Sequence, residues 1–255
     1  MTTFDPRTVA ARALPLLDLT DLADDATEAG ARALCARAVT AHGAVAAVCL
    51  WPRFVATAKA ALAGTPVRIA TVVNFPGGGE DTRAVEAETA AALADGADEI
   101  DLVMPWRAFL AARPGFAETQ ILRVKRLCAG RATLKVILET GEIVDPAKIR
   151  AAADLAVVAG ADVLKTSTGK VAVNATPAAA RILLEAAKAS PRPVGVKVAG
   201  GIRTIADAAE YLVLADAVMG PEWVSPATFR FGASGLLDAL LAALDGAAVP
   251  ANDGY

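Results

Sequence analysis

TLKVILET (Thr133–Thr140), DVLKTST (Asp162–Thr168) and PVGVKVAGG (Pro193–Gly201) are short runs rich in branched apolar residues, and each carries one lysine. Runs of this length, bounded by turn-forming residues, read as buried strands. The same pattern recurs upstream in LPLLDLT from Leu14, AVAAVCLW from Ala44, VRIATVVN from Val67 and EIDLVMP from Glu99. Downstream, the short AVMG from Ala217 is read as the eighth strand. Between the runs lie stretches of helical period: TEAGARALCARAVTA from Thr27, EDTRAVEAETAAALADG from Glu80 and TPAAARILLEAAKAS from Thr176. Threonine suits the first cap, proline the first turn of the last helix, and Gly96, Gly130 and Gly160 are placed to stop helices.

Eight strand–helix alternations in 255 residues predict an α/β fold, a TIM (β/α)8 barrel. An open doubly wound sheet is the competing architecture, but its G-x-G-x-x-G turn after the first strand is missing. No composition break divides the chain, so a single domain spanning 1–255 is expected, with AAVPANDGY (247–255) as a loose tail.

A formal net charge of −3, with basic and acidic residues interspersed, leaves no stripe for a phosphodiester backbone; no nucleic-acid partner is expected. Cys35, Cys49 and Cys128 are odd in number and far apart, which suits reduced thiols in a cytoplasmic protein. No basic-then-apolar leader and no apolar run of membrane-spanning length is found, so no membrane partner is expected. His42, the one histidine, sits before a glycine and reads as a surface residue at a helix end. With a single imidazole, triads and histidine-rich metal sites have little to draw on, and neither metal nor cofactor is expected.

Charges inside strands are the informative feature. Of eight lysines, Lys135, Lys165 and Lys197 stand in three consecutive strand runs. Parallel neighbours lie about 4.8 Å apart, so these ammonium groups are expected to converge on one mouth of the barrel. Burial and a neighbouring positive charge both favour the neutral amine, which attacks carbonyls. Lys165 and Lys197 stand near strand ends that lead into glycine loops, where barrel active sites form. Lys135 reads equally well as a site residue or as a fastening, with Glu139 and Asp101 as available partners. Asp18 and Asp101 interrupt two other strands. They can move protons beside the lysines or form a purely structural lattice with them.

The loops TSTGK after Lys165, AGGIR after Lys197 and RFGASG from Arg230 place glycines late in the barrel. Backbone N–H groups in such loops, with Ser234 at the start of the last helix, suit a phosphate.

Taken in order, LDLT from Leu17, CLWPRF from Cys49, ATVVNFP from Ala70, GADEIDLVMPWRA from Gly96, LKVILETGE from Leu134, GADVLKTSTGK from Gly160, VGVKVAGGIRT from Val194 and RFGASGLL from Arg230 cover nearly the whole chain. This series resembles the deoxyribose-phosphate aldolases. The resemblance implies a metal-independent lyase that reversibly cleaves 2-deoxy-D-ribose 5-phosphate to D-glyceraldehyde 3-phosphate and acetaldehyde, acting as a homo-oligomer, with a dimer favoured. Lys165 would form the Schiff base, Lys197 would lower its pKa, and Asp101 with Lys197 would move protons. Asp18 and Thr20 would hold substrate hydroxyls or waters, and Cys49 would line the pocket. Gly169, Lys170, Gly200, Gly201 and Ser234 would take the phosphate. The family often has a second serine where this chain has Gly235, so weaker or reshaped phosphate binding is expected. Tyr255 resembles a C-terminal tyrosine that in some members reaches the site. Another lysine-dependent aldolase and a sugar-phosphate-binding barrel without catalysis are the competing functions.

Overall fold

The computed structural model describes residues 4–246. The expected tail 247–255, with Tyr255, lies outside the described residues. Eight parallel strands close a barrel: β1 (Leu17–Asp21), β2 (Ala47–Leu50), β3 (Arg68–Val73), β4 (Glu99–Val103), β5 (Thr133–Ile137), β6 (Val163–Lys165), β7 (Gly195–Ala199) and β8 (Phe229–Ala233). Each pairs with the next in sequence, and β8 closes on β1.

A principal helix follows each strand: α1 (Glu28–Arg37), α2 (Val55–Ala61), α3 (Thr82–Ala94), α4 (Pro114–Cys128), α5 (Pro146–Val158), α6 (Pro177–Ala189), α7 (Ile205–Met219) and α8 (Leu236–Leu244). Their starts are written locally. Thr27, Asp81, Asp145, Thr176 and Thr204 each accept hydrogen bonds from backbone N–H groups in the first turn, satisfying donors that no carbonyl reaches. An N-terminal helix, Pro6–Ala13, packs on α7 and α8 and is tied to α7 by Arg12 and Asp216, 2.8 Å apart.

Side-chain alternation sorts the strands into two faces. Leu17, Leu19, Val48, Leu50, Ile100, Leu102, Leu134, Val136, Val196 and Val198 join the helices in one continuous apolar core. The opposite face fills the barrel and is itself divided. On β2 and β3 it carries Ala47, Cys49, Ala70 and Val72, a small separate apolar cluster. The strands β1 and β4 to β8 contribute Asp18, Glu99, Asp101, Lys135, Lys165, Lys197 and Arg230, all buried.

Two local expectations are corrected. The helix read over Thr27–Ala41 ends at Arg37, because Val39–Thr40 pair with Gly43–Ala44 as a small hairpin. His42 therefore sits in a hairpin turn, its Nε2 2.7 Å from Asp245 Oδ1, and not at a helix end. The eighth strand is not Ala217–Gly220, which closes α7 instead. There Leu214, Ala215 and Val218 keep a helical burial spacing. The true β8 lies in the stretch read as a glycine loop. Phe229, Phe231 and Ala233 face the helices, while Arg230 and Gly232 face inward, so a charge and a glycine mask the alternation.

Candidate active site

The barrel is open at both ends. At the N-terminal ends of the strands, the floor, a cavity of about 470 Å³ is lined by Arg68, Glu99, Lys135, Arg230 and the preceding loops. At the C-terminal ends, the mouth, a smaller cavity of about 190 Å³ is lined by Thr20, Lys165, Thr168 and the glycines Gly169, Gly200, Gly201 and Gly232, with Arg203 and Ser234. A column of ion pairs connects the two.

The column has three carboxylates and four cations. Glu99 pairs with Arg230 (2.9 Å) and with Lys135, and the half-exposed Arg68 comes within 3.8 Å of its Oε1. Asp18 receives Arg230 on Oδ1 and Lys197 on Oδ2, the latter at 2.6 Å. Asp101 receives Lys135 on Oδ1 at 2.8 Å, and on Oδ2 both Lys165 at 2.7 Å and Lys197 at 2.8 Å. Buried charges on this scale persist only when paired, because desolvation costs several kcal/mol per ion.

The pairings set the protonation states. Burial pushes the Asp18 and Asp101 carboxyls up, but the surrounding lysines, with Arg230 at Asp18, outweigh it and hold both below the usual carboxylate range. Burial also opposes the charge on Lys197, yet Asp101 and Asp18 together keep its ammonium well above the usual lysine range. For Lys165, burial and the adjacent Lys197 charge prevail over its single carboxylate partner, and the amine is lowered from its ordinary value. Lys165 is thus the lysine of the cluster that gives up its proton most readily, and the only strand lysine lining the mouth cavity.

The three lysines do not all converge on the mouth. Register places Lys135 opposite Val163 and Ile137 opposite Lys165, so Lys135 stands two residues lower and lines the floor. Its partners are Asp101, Glu99 and Asp18, not Glu139. Glu139 is buried at a left-handed backbone position (φ 60°), and its Oε1 accepts from the Thr168 N–H at 3.0 Å. Asp101, paired with Lys165, and Lys197, in register with it, are not among the residues that line the cavity.

Asp18 is sealed in the column, while Thr20, two residues on, lines the cavity, its hydroxyl donating to the Asp18 carbonyl at 2.8 Å. Cys49 is fully buried, and burial pushes its thiol up. It belongs to the apolar cluster beside the column and does not line the cavity, which corrects the expectation for it. Lys170 is likewise outside the lining; its Nζ pairs with Asp24, 2.9 Å away.

Glycine opens the mouth at two critical points. Gly232 sits beside Lys197, where a Cβ would stand 2.8 Å from Lys197 Cε. Gly200, at φ +84°, leaves no room for a Cβ, which would lie 2.7 Å from Asn174 Cβ. Ser234 and the uncapped start of α8 at Gly235 complete the wall nearest Gly200 and Gly201. Together these groups form a polar pocket suited to an anion, with Arg203 supplying a positive charge.

Sequence reasoning missed Glu99, Arg230, Gly232, Thr168 and Arg203. Glu99 and Arg230 carried the same signal as Asp101, a charge in an apolar strand. Arg230 went unseen because its strand was placed elsewhere.

Residues 12–240 match the DeoC/LacD family aldolases. The chain is 54% identical, over 94% of its length and 93% of the relative's, to the deoxyribose-phosphate aldolase of Agrobacterium fabrum. It superposes with a TM-score of 0.74 on the deoxyribose phosphate aldolase of Aeropyrum pernix, described as tetrameric. That match has 28% identity and covers 93% of this chain and 91% of the other.

Proposed function

The chain belongs to the DeoC/LacD aldolase family, and from that premise we propose that it reversibly cleaves 2-deoxy-D-ribose 5-phosphate through a Schiff base on Lys165. The observation that carries this reading is the position of Lys165: a buried amine, lowered from its ordinary value, at the base of the mouth cavity and sharing Asp101 Oδ2 with Lys197.

The neutral Nζ adds to C1 of the open-chain aldehyde. The carbinolamine then loses water to leave an iminium. A base takes the proton of the C3 hydroxyl, the C2–C3 electron pair moves onto the iminium as an enamine, and glyceraldehyde 3-phosphate departs. Protonation of C2 regenerates an iminium, which water hydrolyses to acetaldehyde and free Lys165. Asp101 Oδ2 lies 2.7 Å from the reacting nitrogen's rest position and also receives Lys197 at 2.8 Å, so Asp101 and Lys197 are assigned the proton transfers there. Thr20 is assigned to substrate hydroxyls. Asp18 acts one step back, holding Lys197.

Gly169, Gly200, Gly201 and Ser234 offer backbone and hydroxyl donors to the phosphate, with the α8 N-terminus and Arg203 contributing positive potential. Lys170 contributes its backbone loop, its side chain being held by Asp24. The reading extends to a homo-oligomer, which light scattering would test, and to a cytoplasmic setting that suits three unbridged, buried thiols. Among the described residues no helix is long and apolar enough to cross a membrane.

The decisive experiment incubates the protein with acetaldehyde or 2-deoxyribose 5-phosphate, reduces with borohydride and maps the adduct by mass spectrometry. A substrate-dependent adduct at Lys165, lost in Lys165→Ala, is expected. An unmodified folded protein would leave an anion-binding barrel as the better description.

A further inference from the structure

The ion column carries more information than the identity of its reactive member. Arg230, Lys197 and Lys135 each touch two or more carboxylates: Arg230 meets Asp18 and Glu99, Lys197 meets Asp18 and Asp101, and Lys135 meets Glu99, Asp101 and, at 3.4 Å, Asp18. Among the described residues the one carboxylate that Lys165 meets is Asp101, on an oxygen already shared. Among the described residues, three buried carboxylates meet four buried cations, so one of these cations has no counter-charge of its own; Arg68, half in solvent at the floor, adds only a 3.8 Å contact to Glu99.

We propose that Arg230 and Glu99, at the far end of the barrel from the reaction, are positioning residues that set the protonation state of Lys165 by fixing the charge balance of the column. Arg230 makes Lys165 the surplus cation; without it the three carboxylates would match Lys135, Lys165 and Lys197. Glu99 acts in the opposite sense. The proposal rests on the Schiff-base reading above.

The groups facing Lys165 support a balance set from below. Asp101 touches it and Lys197 shares the same carboxylate oxygen, while Cys49 on β2 and Glu139 after β5 lie close enough to feel its charge. Burial pushes both of these toward their neutral forms. Asp18 and Lys135 act through Asp101 and Lys197. Arg230 stands in register with Lys197, and Lys197 with Lys165. Two strand spacings separate Arg230 from Lys165, on the order of 10 Å. At that distance and an effective dielectric constant near 20, a unit charge moves a titration midpoint by about one pH unit.

The test measures the rate of borohydride trapping with acetaldehyde across pH in four proteins: the natural chain, Arg230→Met, Glu99→Gln and the double variant. Arg230→Met is expected to move the acid limb of the Lys165 adduct profile upward by about one pH unit, and Glu99→Gln to move it downward by a similar amount. The double variant is expected to return to the natural midpoint, and Arg230→Lys to stay there. A merely structural role predicts losses of amplitude that accumulate in the double variant, with one common midpoint. That result, or midpoints displaced in the same direction, would overturn the proposal. Should Arg230→Met not fold, Glu99→Gln decides by the sign of its displacement. If the natural chain forms no adduct at Lys165, the Schiff-base reading itself fails, a different outcome from an adduct whose midpoint ignores the floor.

Discussion

The floor and the mouth of this barrel are both lined by charge, and they differ in how completely the charge is answered. The floor holds the larger cavity, about 470 Å³ against about 190 Å³, yet Lys135, Glu99 and Arg230 there each have two or more opposite partners. The mouth holds Lys165, with one shared partner, and a wall of glycines and donors with room for a ligand. Reactivity follows under-satisfied charge next to accessible space, not cavity volume. A fully paired lysine is held protonated, as Lys135 is, above its ordinary range despite burial.

The sharpest way to break this comparison is to remove one lysine from each end. Lys165→Ala is expected to lower cleavage of the sugar phosphate by at least about 10⁴-fold, because the nucleophile is lost. The fold should survive, since Asp101 keeps two other cations. Lys135→Met is expected to destabilise the protein by about 3–5 kcal/mol in urea denaturation, the cost of leaving buried carboxylates short of a partner. Equal destabilisation by both substitutions would erase the distinction between the ends.

Acid tests the column as a whole. Asp18 and Asp101 are held below the usual carboxylate range in the folded protein, so the unfolded chain binds more protons once the pH falls toward its ordinary carboxylate pKa of about 3.9. Their contribution is fully present above that value and is lost as pH falls further through their folded pKa values. Denaturation midpoints measured from pH 6 downward are expected to hold and then drop below about pH 4. A flat profile would mean that the pairs contribute nothing net.

Smaller effects sharpen the account of the mouth. Gly200→Ala forces a Cβ against Asn174 at a left-handed backbone position. It is expected to raise KM for the phosphorylated substrate about 10-fold and to cost about 1–2 kcal/mol of stability, by steady-state kinetics and thermal melting. Gly235→Ser has open space for its side chain and stands at the uncapped start of α8. A few-fold tighter phosphate binding and a few tenths of a kcal/mol of added stability are expected from calorimetry. Affinity unchanged from the natural chain would remove the idea that Gly235 weakens the phosphate pocket.

Much of this was legible beforehand. Seven strands were found because apolar runs of strand length stood between capped helices, and the lysines and aspartates were noticed because charge in such runs is costly. β8 was misplaced because FRFGA reads as charge and glycine when its pairing is unknown, whereas AVMG reads as apolar although it merely ends a helix. Cys49 and Lys170 were assigned to the pocket through resemblance, and their side chains turn elsewhere. Of the two partners expected for Lys135, Asp101 meets it, whereas Glu139 is instead held by Thr168.

The order of strands and helices, and the presence of costly charges within strands, are properties of the chain by itself, since they arise from local propensity and the period of apolar residues. Which charge meets which was decided only by the closed barrel. The stagger between strands sets Lys135 two residues below Lys165 and pairs Arg230 in register with Lys197, and closure of β8 on β1 brings Arg230 to Asp18 across 212 positions of sequence. Electrostatic energy depends on distances of a few ångströms between residues far apart in the chain, so the physical reason that Lys165 and not Lys135 or Lys197 is the lowered amine lies in the tertiary structure.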